Sequence, residues 1–382
     1  MVKIKLGDVI DFKNGKSVKK SDGIIPIYGG NGILGYTDKS NFSHTIVVGR
    51  VGAYCGSIHV EENSCWVSDN AIAGVPREGQ DLTYLYYVLK SLNLNSKQIG
   101  SSQPLITQSM LKDMVVDIEI DIEKQKKIAN SISIIDQKIQ INNQINQELE
   151  AMAKTLYDYW FVQFDFPDQN GKPYKSSGGK MVYHPELKRE IPEGWGVDSL
   201  WNIANFYNGL AMQKYRPDTN EDDCLPVIKI REMMNGFSKD TEKARLDIPT
   251  EAVVERGDIL FSWSATLEVI IWGKERGALN QHIFKVTSDT YPKTFIYFEL
   301  KSYLKVFKSI AELRKTTMGH ITQDHLKQAK IVVPPIKLIS KLDAQLQHIM
   351  SQQQILENQN QELTQLRDWL LPMLMNGQVK VE

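Results

Sequence analysis

The octapeptide "ITQSMLKD" at residues 106–113 has a near copy, "ITQDHLKQ", at residues 321–328. The two copies share Ile, Thr, Gln, Leu and Lys at the same five positions. A pattern of apolar residues typical of a long helix follows each copy, and "NQEL" recurs in both, at 146–149 and at 360–363. The chain therefore contains an internal repeat that extends well beyond the octapeptide.

Each helical pattern alternates spacings of four and three between apolar residues. The seam residues of the first pattern are Ile128, Ile132, Ile135, Ile139, Leu149 and Leu156. Those of the second pattern are Leu342, Leu346, Ile349, Leu356, Leu363 and Leu370. Polar residues interrupt both seams, namely Asn142, Asn146, Gln353 and Asn360. The pattern predicts two long helices that pair as a coiled coil, in which buried polar residues set the register.

The segment that precedes each helix has the composition of a sheet domain. "HTIVVGRVGAYCGSIHV" (44–60) and "GDILFSWSATLEVIIWG" (257–273) predict strand pairs that are separated by turns. The two domains also align with each other, since "NG" recurs at 14–15 and 208–209 and "SDNAIAGV" (68–75) parallels "LNQHIFKV" (279–286). Short amphipathic helices are predicted at about 82–92 and 294–313.

The predicted fold is α+β, with two similar globular domains joined by two long helices that form an antiparallel coiled coil with pseudo-twofold symmetry. The predicted segments are 1–117 (first domain), 118–164 (central helix), 165–194 (linker), 195–333 (second domain) and 334–382 (C-terminal helix). The linker is dense in Gly, Pro, Ser and Lys, which predicts a loop without packed structure. A helix of about 39 residues would be about 58 Å long, more than one turn of B-DNA.

Composition indicates a folded protein, with 42% hydrophobic and 24% charged residues. The net charge of −1 lacks the basic excess of many nucleic-acid-binding proteins, although six lysines lie within residues 1–20. Another basic segment, residues 296–330, could equally be a solvated surface. The start of the chain lacks a signal-peptide pattern, and its three cysteines form no disulfide framework, so a reducing cytoplasm is expected.

The sequence contains no recognisable catalytic motif. "GGNG" at 29–32 is not followed by the Lys-Ser/Thr pair of a phosphate-binding loop, and His320 and His325 lack the companions of a metal site. The Asn-Pro-Pro-aromatic motif expected of an adenine methyltransferase is also absent. We therefore predict a binding protein without catalytic residues or a metal, whose ligand from geometry alone is either DNA or other proteins.

Four further motifs carry a resemblance to a known family. They are "YDYWFVQFDFP" (157–167), "GKPYKSSGGKMVY" (171–183), "REIPEGW" (189–195) and "LLPMLMNGQVKV" (370–381). Together with the repeat, they make essentially the whole chain resemble the specificity (S) subunit of type I restriction-modification systems. The two globular domains would then be target recognition domains.

The resemblance implies a non-catalytic subunit of a bacterial or archaeal complex that acts on double-stranded DNA in the cytoplasm, away from membranes. Each target recognition domain would read one half of a bipartite, asymmetric DNA sequence, and the coiled coil would set the gap. Two methyltransferase (M) subunits would dock on the helices and bring S-adenosylmethionine. Restriction (R) subunits would add ATP and Mg in the full complex, and this chain would bind no cofactor itself.

Candidate DNA contacts follow from side-chain chemistry, because Arg and Lys pair with guanine, Asn and Gln pair with adenine, and Lys also contacts phosphates. In the first domain the candidates are Lys16, Lys19, Lys20, Tyr28, Asn31, Arg50 and Gln103. In the second domain they are Lys214, Tyr215, Arg216, Lys229, Arg231, Trp263, Gln281, His282, Arg314 and Lys315. The repeated "ITQ" is expected either to cap the junction with each helix or to contact phosphate, through the hydroxyl and amide groups of Thr107, Gln108, Thr322 and Gln323.

Two other classes of function remain open at this point. A protein-binding scaffold or decoy of the same shape would bind its partners without reading DNA. An independent nuclease or methyltransferase would show turnover by the isolated chain.

Overall fold

The computed structural model describes residues 1–96, 104–217, 223–313 and 320–381. The chain divides into two compact units, Met1–Asn142 with Asn358–Glu382, and Asn143–Glu357. Each unit combines one sheet domain with parts of two long helices. Three predicted DNA contacts, Gln103, Arg314 and Lys315, lie outside the described residues.

The first unit begins with the N-terminal sheet domain. Its strands are β1 (Val2–Lys5), β2 (Ile10–Asn14), β3 (Ile25–Gly29), β4 (Gly32–Thr37), β5 (Phe42–Gly49), β6 (Ile58–Val67), β7 (Ala71–Pro76) and β8 (Val115–Ile118). Its helices are α1 (Leu6–Val9), α2 (Leu82–Ser91), α3 (Gln108–Asp113) and the first part of α4 (Ile122–Tyr157). Six strands form one sheet in the order β2-β7-β5-β6-β3-β4, and β1 pairs with β8.

Helix α2 packs its apolar side against the six-stranded sheet. Leu85 and Leu89 lie four residues apart, on one face of the helix, and are buried with Ile72 of β7. The helix begins at a capping residue, because Asp81 Oδ1 accepts a hydrogen bond from the Tyr84 N–H at 2.8 Å. This helix confirms the amphipathic segment predicted at about 82–92.

The second unit contains the other sheet domain and a longer amphipathic helix. Its strands are β9 (Met181–His184), β10 (Arg189–Pro192), β11 (Gly196–Ser199), β12 (Asn205–Asn208), β13 (Leu225–Ile228), β14 (Lys243–Ala244), β15 (Val253–Val254), β16 (Ile259–Ser262), β17 (Glu268–Ile271), β18 (Gly277–Leu279), β19 (Ile283–Thr287) and β20 (Lys330–Val333). Its helices are α5 (Leu200–Ile203), α6 (Ile230–Asn235), α7 (Lys293–Leu313), α8 (Gln323–Gln328) and part of α9 (Ile336–Met375). Two four-stranded sheets have the orders β12-β19-β16-β17 and β14-β13-β18-β15.

The sequence repeat is also a repeat of backbone hydrogen bonds. In the first unit the Leu6 N–H donates to the Met114 carbonyl oxygen at 2.9 Å, and in the second the Leu200 N–H donates to that of Ala329 at 3.0 Å. The strand pairs β1–β8 and β11–β20, which flank these bonds, are both antiparallel. The two sheet domains therefore share one backbone plan, although one continuous strand, β6, is matched by β17 and β18 in the second unit.

The hydrogen bonds correct one part of the sequence alignment, which pairs Ala71 with His282. The Gly15 N–H donates to the Ala71 carbonyl oxygen at 3.1 Å, and the Gly209 N–H donates to that of Ile283 at 3.1 Å. Ala71 is therefore equivalent to Ile283, and the alignment is wrong by one residue. A short apolar strand with little sequence identity does not define its register, whereas strand pairing does.

The recurring "NG" dipeptide has a steric cause in both units. A Cβ atom on Gly15 would lie 2.0 Å from the Ser68 carbonyl oxygen, and a Cβ atom on Gly209 would lie 2.2 Å from that of Asn280. Any side chain larger than hydrogen would clash with the backbone at these positions. Glycine is thus required where β2 and β12 end.

Residues 165–194, predicted to be a loop without packed structure, contain the antiparallel β9–β10 hairpin. Phe166 is buried and stacks against Tyr174 and Trp195, with ring centroids 4.6 and 5.0 Å away. The expectation that this segment is unpacked is wrong, because its composition is dominated by turn residues, whereas its packing depends on a few buried residues such as Phe166 and Ile191.

Helix α4 is 36 residues long and α9 is 40, near the predicted length of about 39. The twelve apolar residues of the predicted seam are all buried or half-buried. In the first unit the two helices run antiparallel. There Asn142 Nδ2 donates to Asn360 Oδ1 at 2.9 Å, and, toward the N-terminus of α4, Asp136 accepts from Arg367 Nη1 at 2.9 Å.

In the second unit the C-terminal part of α4 packs against the N-terminal part of α9. Tyr157 shares a core with Leu342 and Leu346, which are the first two seam residues of α9. A polar seam residue is also satisfied here, since Gln353 Nε2 donates to the Asn146 carbonyl oxygen at 3.2 Å. No helix in the described part of the chain is long and apolar enough to cross a membrane.

Candidate nucleic-acid interface

Three strand ends meet at one edge of the sheet in the first unit. Strand β2 ends at Asn14 and β5 ends just before Arg50, and both strands run antiparallel to β7, which begins just after Asn70. The Arg50 N–H donates to the Asn70 carbonyl oxygen at 2.9 Å. We call Asn14, Lys16, Arg50 and Asn70 the first strand-end cluster.

Arg50 has a fixed backbone and a side chain without a partner among the described residues. Its carbonyl oxygen accepts hydrogen bonds from the Ile106 N–H at 3.0 Å and from Cys55 Sγ at 3.2 Å. The side chain is half-buried, and its guanidinium group has no ion pair or hydrogen bond to any residue that the structure describes. Within the described residues the guanidinium group is therefore unoccupied, and backbone hydrogen bonds hold the Cα atom from which it extends.

The loop after β2 carries the three predicted lysines of this domain, Lys16, Lys19 and Lys20, all exposed. The backbone of Lys16 is fixed, because its carbonyl oxygen accepts from Trp66 Nε1 at 2.6 Å. None of the three ammonium groups forms an ion pair within residues 1–96 or the other described ranges. Asn31 is likewise exposed, at the turn between β3 and β4.

Tyr28 differs from these residues because it belongs to the core. It is 8% exposed, and its hydroxyl donates to Glu61 Oε2 at 3.1 Å. Burial, with the nearby Glu61 carboxylate, raises the pKa of Tyr28 to about 12. The structure therefore places Tyr28 inside the domain and not on a binding face.

The equivalent edge of the second unit holds an aromatic and polar group. Trp263 Nε1 donates to Asn208 Oδ1 at 2.9 Å, and the Trp263 ring lies 5.6 Å from the His282 ring and 6.4 Å from the His320 ring. Gln281 Nε2 is 3.4 Å from His282 Nε2. We call these five residues the second strand-end cluster, in which the predicted contacts Trp263, Gln281 and His282 come together.

Two members of this cluster, Asn208 and His320, were not among the predicted contacts. Asn208 belongs to the "NG" dipeptide, which repeats in the sequence and was a usable signal. His320 directly precedes "ITQ" and forms an isolated antiparallel β-bridge with Ser264. Neither residue shares a segment with Trp263, so no local pattern connects them.

Several predicted basic residues of the second unit have acidic partners within it. Lys229 Nζ lies 2.6 Å from Glu242 Oε1, and Arg216 Nη2 lies 3.7 Å from Glu242 Oε2. The hydrogen bond from Lys229 lowers the pKa of Glu242. Arg231 Nη2 is 2.7 Å from Glu232 Oε1. These ion pairs offset the positive charge of the three basic residues.

The other predicted residues of this domain lie on one turn of 3-10 helix, Met212–Tyr215. Lys214 is exposed there, whereas Tyr215 is half-buried against a small apolar core. In the basic segment 296–330, Lys301 Nζ is 3.0 Å from Glu268 Oε1, so this part of the positive charge is also compensated.

The repeated "ITQ" begins a short helix in each unit. Thr107 Oγ1 accepts from the Met110 N–H at 3.3 Å, which caps α3. Thr322 occupies the same position before α8, and its N–H donates to His325 Nδ1 at 3.0 Å. Thr107 therefore has the first of the two predicted roles, capping, and Thr322 holds the equivalent N-terminal position of α8.

The two clusters can recognise a ligand by hydrogen bonding and stacking. Amide, imidazole and guanidinium groups match the donors and acceptors on base edges, and an indole ring offers apolar contact. Among the described residues, no group of three or more His, Cys, Asp or Glu side chains could hold a metal ion.

Comparison with known proteins identifies the family. A family model for the type I restriction modification DNA specificity domain matches residues 1–151 and 192–365. The type I restriction enzyme MjaIX specificity subunit of Methanocaldococcus jannaschii is 28% identical over 324 residues, which are 81% of this chain and 71% of that protein. The HindI specificity subunit of Haemophilus influenzae is 24% identical over 332 residues, which are 72% of this chain and 71% of that protein.

Among solved structures, the S subunit of a type I restriction-modification system from M. genitalium has the same fold. Its TM-score is 0.60 at 18% identity, and the match covers 98% of this chain and 96% of that one. The family model matches one segment in each half of the repeat and most of the chain in total. The protein therefore belongs to the family of type I restriction-modification specificity subunits, whose general function is DNA target recognition.

Proposed function

We propose that each sheet domain reads one half of a bipartite, asymmetric DNA target. The observation that carries this proposal is the pair of strand-end clusters, in which one repeated backbone plan presents different side chains. Arg50 of the first unit is equivalent to Trp263 of the second, because each donates its N–H to the residue that precedes β7 or β19 and accepts from Ile106 or Ile321. The two domains thus share a backbone arrangement but present different side chains to a ligand, which supports two half-sites of different sequence.

The long helices would serve as the spacer that sets the gap between the half-sites. At about 1.5 Å per residue, helices of 36 and 40 residues are about 54 and 60 Å long. One turn of B-DNA is about 34–36 Å, so either helix exceeds the distance between adjacent turns. The paired Asn142 and Asn360 would fix the register of the helices and, with it, the gap.

Apolar side chains exposed on both helices support docking of the two methyltransferase subunits. On α4, Ile134 is 64% exposed and Met152 is 58% exposed, and on α9 Trp369 is 57% exposed. Contiguous exposed apolar surface is typical of protein-binding sites, and Ile134 and Met152 lie on one face of α4 with the exposed Ile141 and Ile145, at spacings of seven, four and seven. In this proposal the chain is non-catalytic and binds no cofactor; methyltransferase subunits bring S-adenosylmethionine, and restriction subunits bring ATP and Mg to the DNA in the cytoplasm.

The exposed lysines 16, 19 and 20 are suited to phosphate contacts, since their ammonium groups lie on a loop and have no ion-pair partner in the part of the chain that the structure describes. We expect the replacement of all three by alanine, in the complex with the methyltransferase, to remove about three phosphate contacts. The slope of the logarithm of the binding constant against the logarithm of the salt concentration should then be smaller by about 3. The matched control replaces three exposed lysines of α4, at 124, 127 and 138, which form no ion pair within the described residues. An equal loss in both triple variants would mean that only net charge matters.

The decisive experiment is methylation mapping by long-read sequencing in cells that express the chain with its methyltransferase partner, compared with cells that lack the chain. We expect a bipartite adenine-methylated motif that depends on the chain. If the methyltransferase co-purifies with the chain and no motif appears, the DNA-reading proposal is wrong and the chain acts as a scaffold or decoy. Turnover by the isolated chain would instead indicate an enzyme.

A further inference from the structure

Arg50 and Trp263 occupy one position of the repeated backbone plan and differ completely in chemistry. The Arg50 N–H donates to the Asn70 carbonyl oxygen at 2.9 Å, and the Trp263 N–H donates to that of His282 at 3.3 Å. The next residues also match, since Val51 bridges with Leu105 and Ser264 with His320. A comparison of these two side chains is therefore a comparison at one structural site.

The Arg50 side chain has the properties needed to read a guanine. Its backbone N–H and carbonyl oxygen are both hydrogen-bonded, so the position of its Cα atom is fixed. In the described part of the chain no carboxylate or carbonyl engages its guanidinium group. A planar fork held at a fixed origin can donate two parallel hydrogen bonds to guanine O6 and N7, which a flexible lysine does less well.

Trp263 cannot make the same contact. Its single donor, the Nε1–H, is used by Asn208 Oδ1 at 2.9 Å, and its ring is flanked by those of His282 and His320. The exposed part of the indole offers only an apolar surface, such as one that meets a thymine methyl group. In the second unit, the side chain at this position therefore cannot read a base through two hydrogen bonds.

We propose that Arg50 reads one guanine in the half-site of the first unit through O6 and N7, and that Trp263 replaces this contact by an apolar one in the other half-site. The inference rests on the proposed function and deepens it by naming a specificity-determining position. The lysines at 16, 19 and 20 then supply phosphate contacts, and Arg50 supplies base discrimination.

The test uses the complex with the methyltransferase and the DNA motif of the wild-type protein. Each guanine of the first half-site is replaced in turn by 7-deazaguanine, which lacks the N7 acceptor. We expect one replacement to weaken wild-type binding by about 2- to 12-fold, since it removes one of the two hydrogen bonds of a bidentate base contact. The same replacement should cost the Arg50→Ala complex almost nothing.

Arg50→Lys separates base reading from charge. It should bind DNA with nearly the salt dependence of the wild type and yet lose discrimination at that one base pair. Arg77→Lys is the matched control, because Arg77 is exposed and follows the opposite end of β7. Co-purification with the methyltransferase and an unchanged melting temperature establish that each variant is folded.

The inference is overturned if no guanine of the first half-site responds to 7-deazaguanine. It is also overturned if Arg50→Lys discriminates like the wild type, because the discrimination would then not come from the guanidinium fork of Arg50. In both cases the wild-type motif remains and the proposed function stands. A wild-type complex without any motif would instead overturn the proposed function together with this inference.

Discussion

Glu299 on α7 should make the stability of the second unit depend on pH. Its carboxylate accepts a hydrogen bond from the Tyr157 hydroxyl at 2.6 Å. Burial raises the pKa of Glu299 to about 7 from the usual 4.5, although the Tyr157 hydrogen bond and Arg189 act in the opposite direction. The carboxyl group therefore changes its charge near neutral pH in the folded protein and near pH 4.5 in the unfolded chain.

The sign of the effect follows from proton linkage. Between pH 4.5 and 7 the folded state binds more protons at Glu299 than the unfolded state, so the free energy of unfolding falls as pH rises. The stabilisation is fully present below pH 4.5 and is lost above pH 7. A difference of about 2.5 in pKa corresponds to about 3 kcal/mol, which is an upper value for a group that water can still approach.

Glu299→Gln removes this dependence, because the amide stays neutral and can still accept the hydrogen bond from Tyr157. We expect the wild type to lose up to about 3 kcal/mol relative to this variant between pH 5 and pH 8. Urea denaturation at several pH values, followed by tryptophan fluorescence, measures the difference. Five of the seven tryptophans lie in the second unit, so the signal reports mainly on that unit.

Glu312→Gln is the control, since Glu312 is exposed on the same helix. It should leave the pH dependence of the wild type unchanged. Parallel curves for the wild type and Glu299→Gln would refute the reasoning, because they would mean that folding does not change the proton affinity of Glu299.

Two further predictions concern the sheet domains and the paired helices. Gly15→Ala and Gly209→Ala should each lower the free energy of unfolding by about 1–3 kcal/mol, since the added methyl group would lie 2.0 or 2.2 Å from a carbonyl oxygen. Thermal denaturation tests this against the control Gly196→Ala, where the added methyl group would lie 3.9 Å from its nearest neighbour. Equal melting temperatures for the three variants would contradict the prediction. Asp136→Asn should cost about 1–3 kcal/mol near neutral pH, because Arg367 loses a charged partner. Burial opposes ionisation of Asp136, but the hydrogen bond from Arg367 and other contacts hold its pKa below the usual 3.8. The difference in unfolding free energy between the wild type and Asp136→Asn should therefore shrink as pH falls below 3.8. A constant difference between pH 5 and pH 3 would count against the ion pair.

The parts of the fold that depend on local periodicity were predictable from the sequence. The amphipathic segment expected at about 294–313 is α7, Lys293–Leu313, and the two heptad patterns lie on α4 and α9. A helix places residues three and four apart on one face whatever surrounds it, so the spacing itself carries the information. The repeat was equally visible, because it needs only a comparison of the chain with itself.

The candidate site was predictable only in part. Residue chemistry singled out Trp263, Gln281 and His282 one by one, but their meeting with Asn208 depends on the pairing of β12, β19 and β16. The burial of Tyr28 is likewise a product of neighbouring strands and not of its own segment. Such proximity arises from long-range contacts, which no spacing within one segment encodes.

The sequence by itself determined the repeat, the two long helices, the glycines at the strand ends and the family resemblance, because each of these is written in a continuous stretch of residues. Only the tertiary structure decided which residues of β7 and β19 are equivalent, and that Arg50 is equivalent to Trp263. It also decided the packing of residues 165–194. The physical reason is that hydrogen bonds between strands set register and bring side chains together from segments that are distant along the chain.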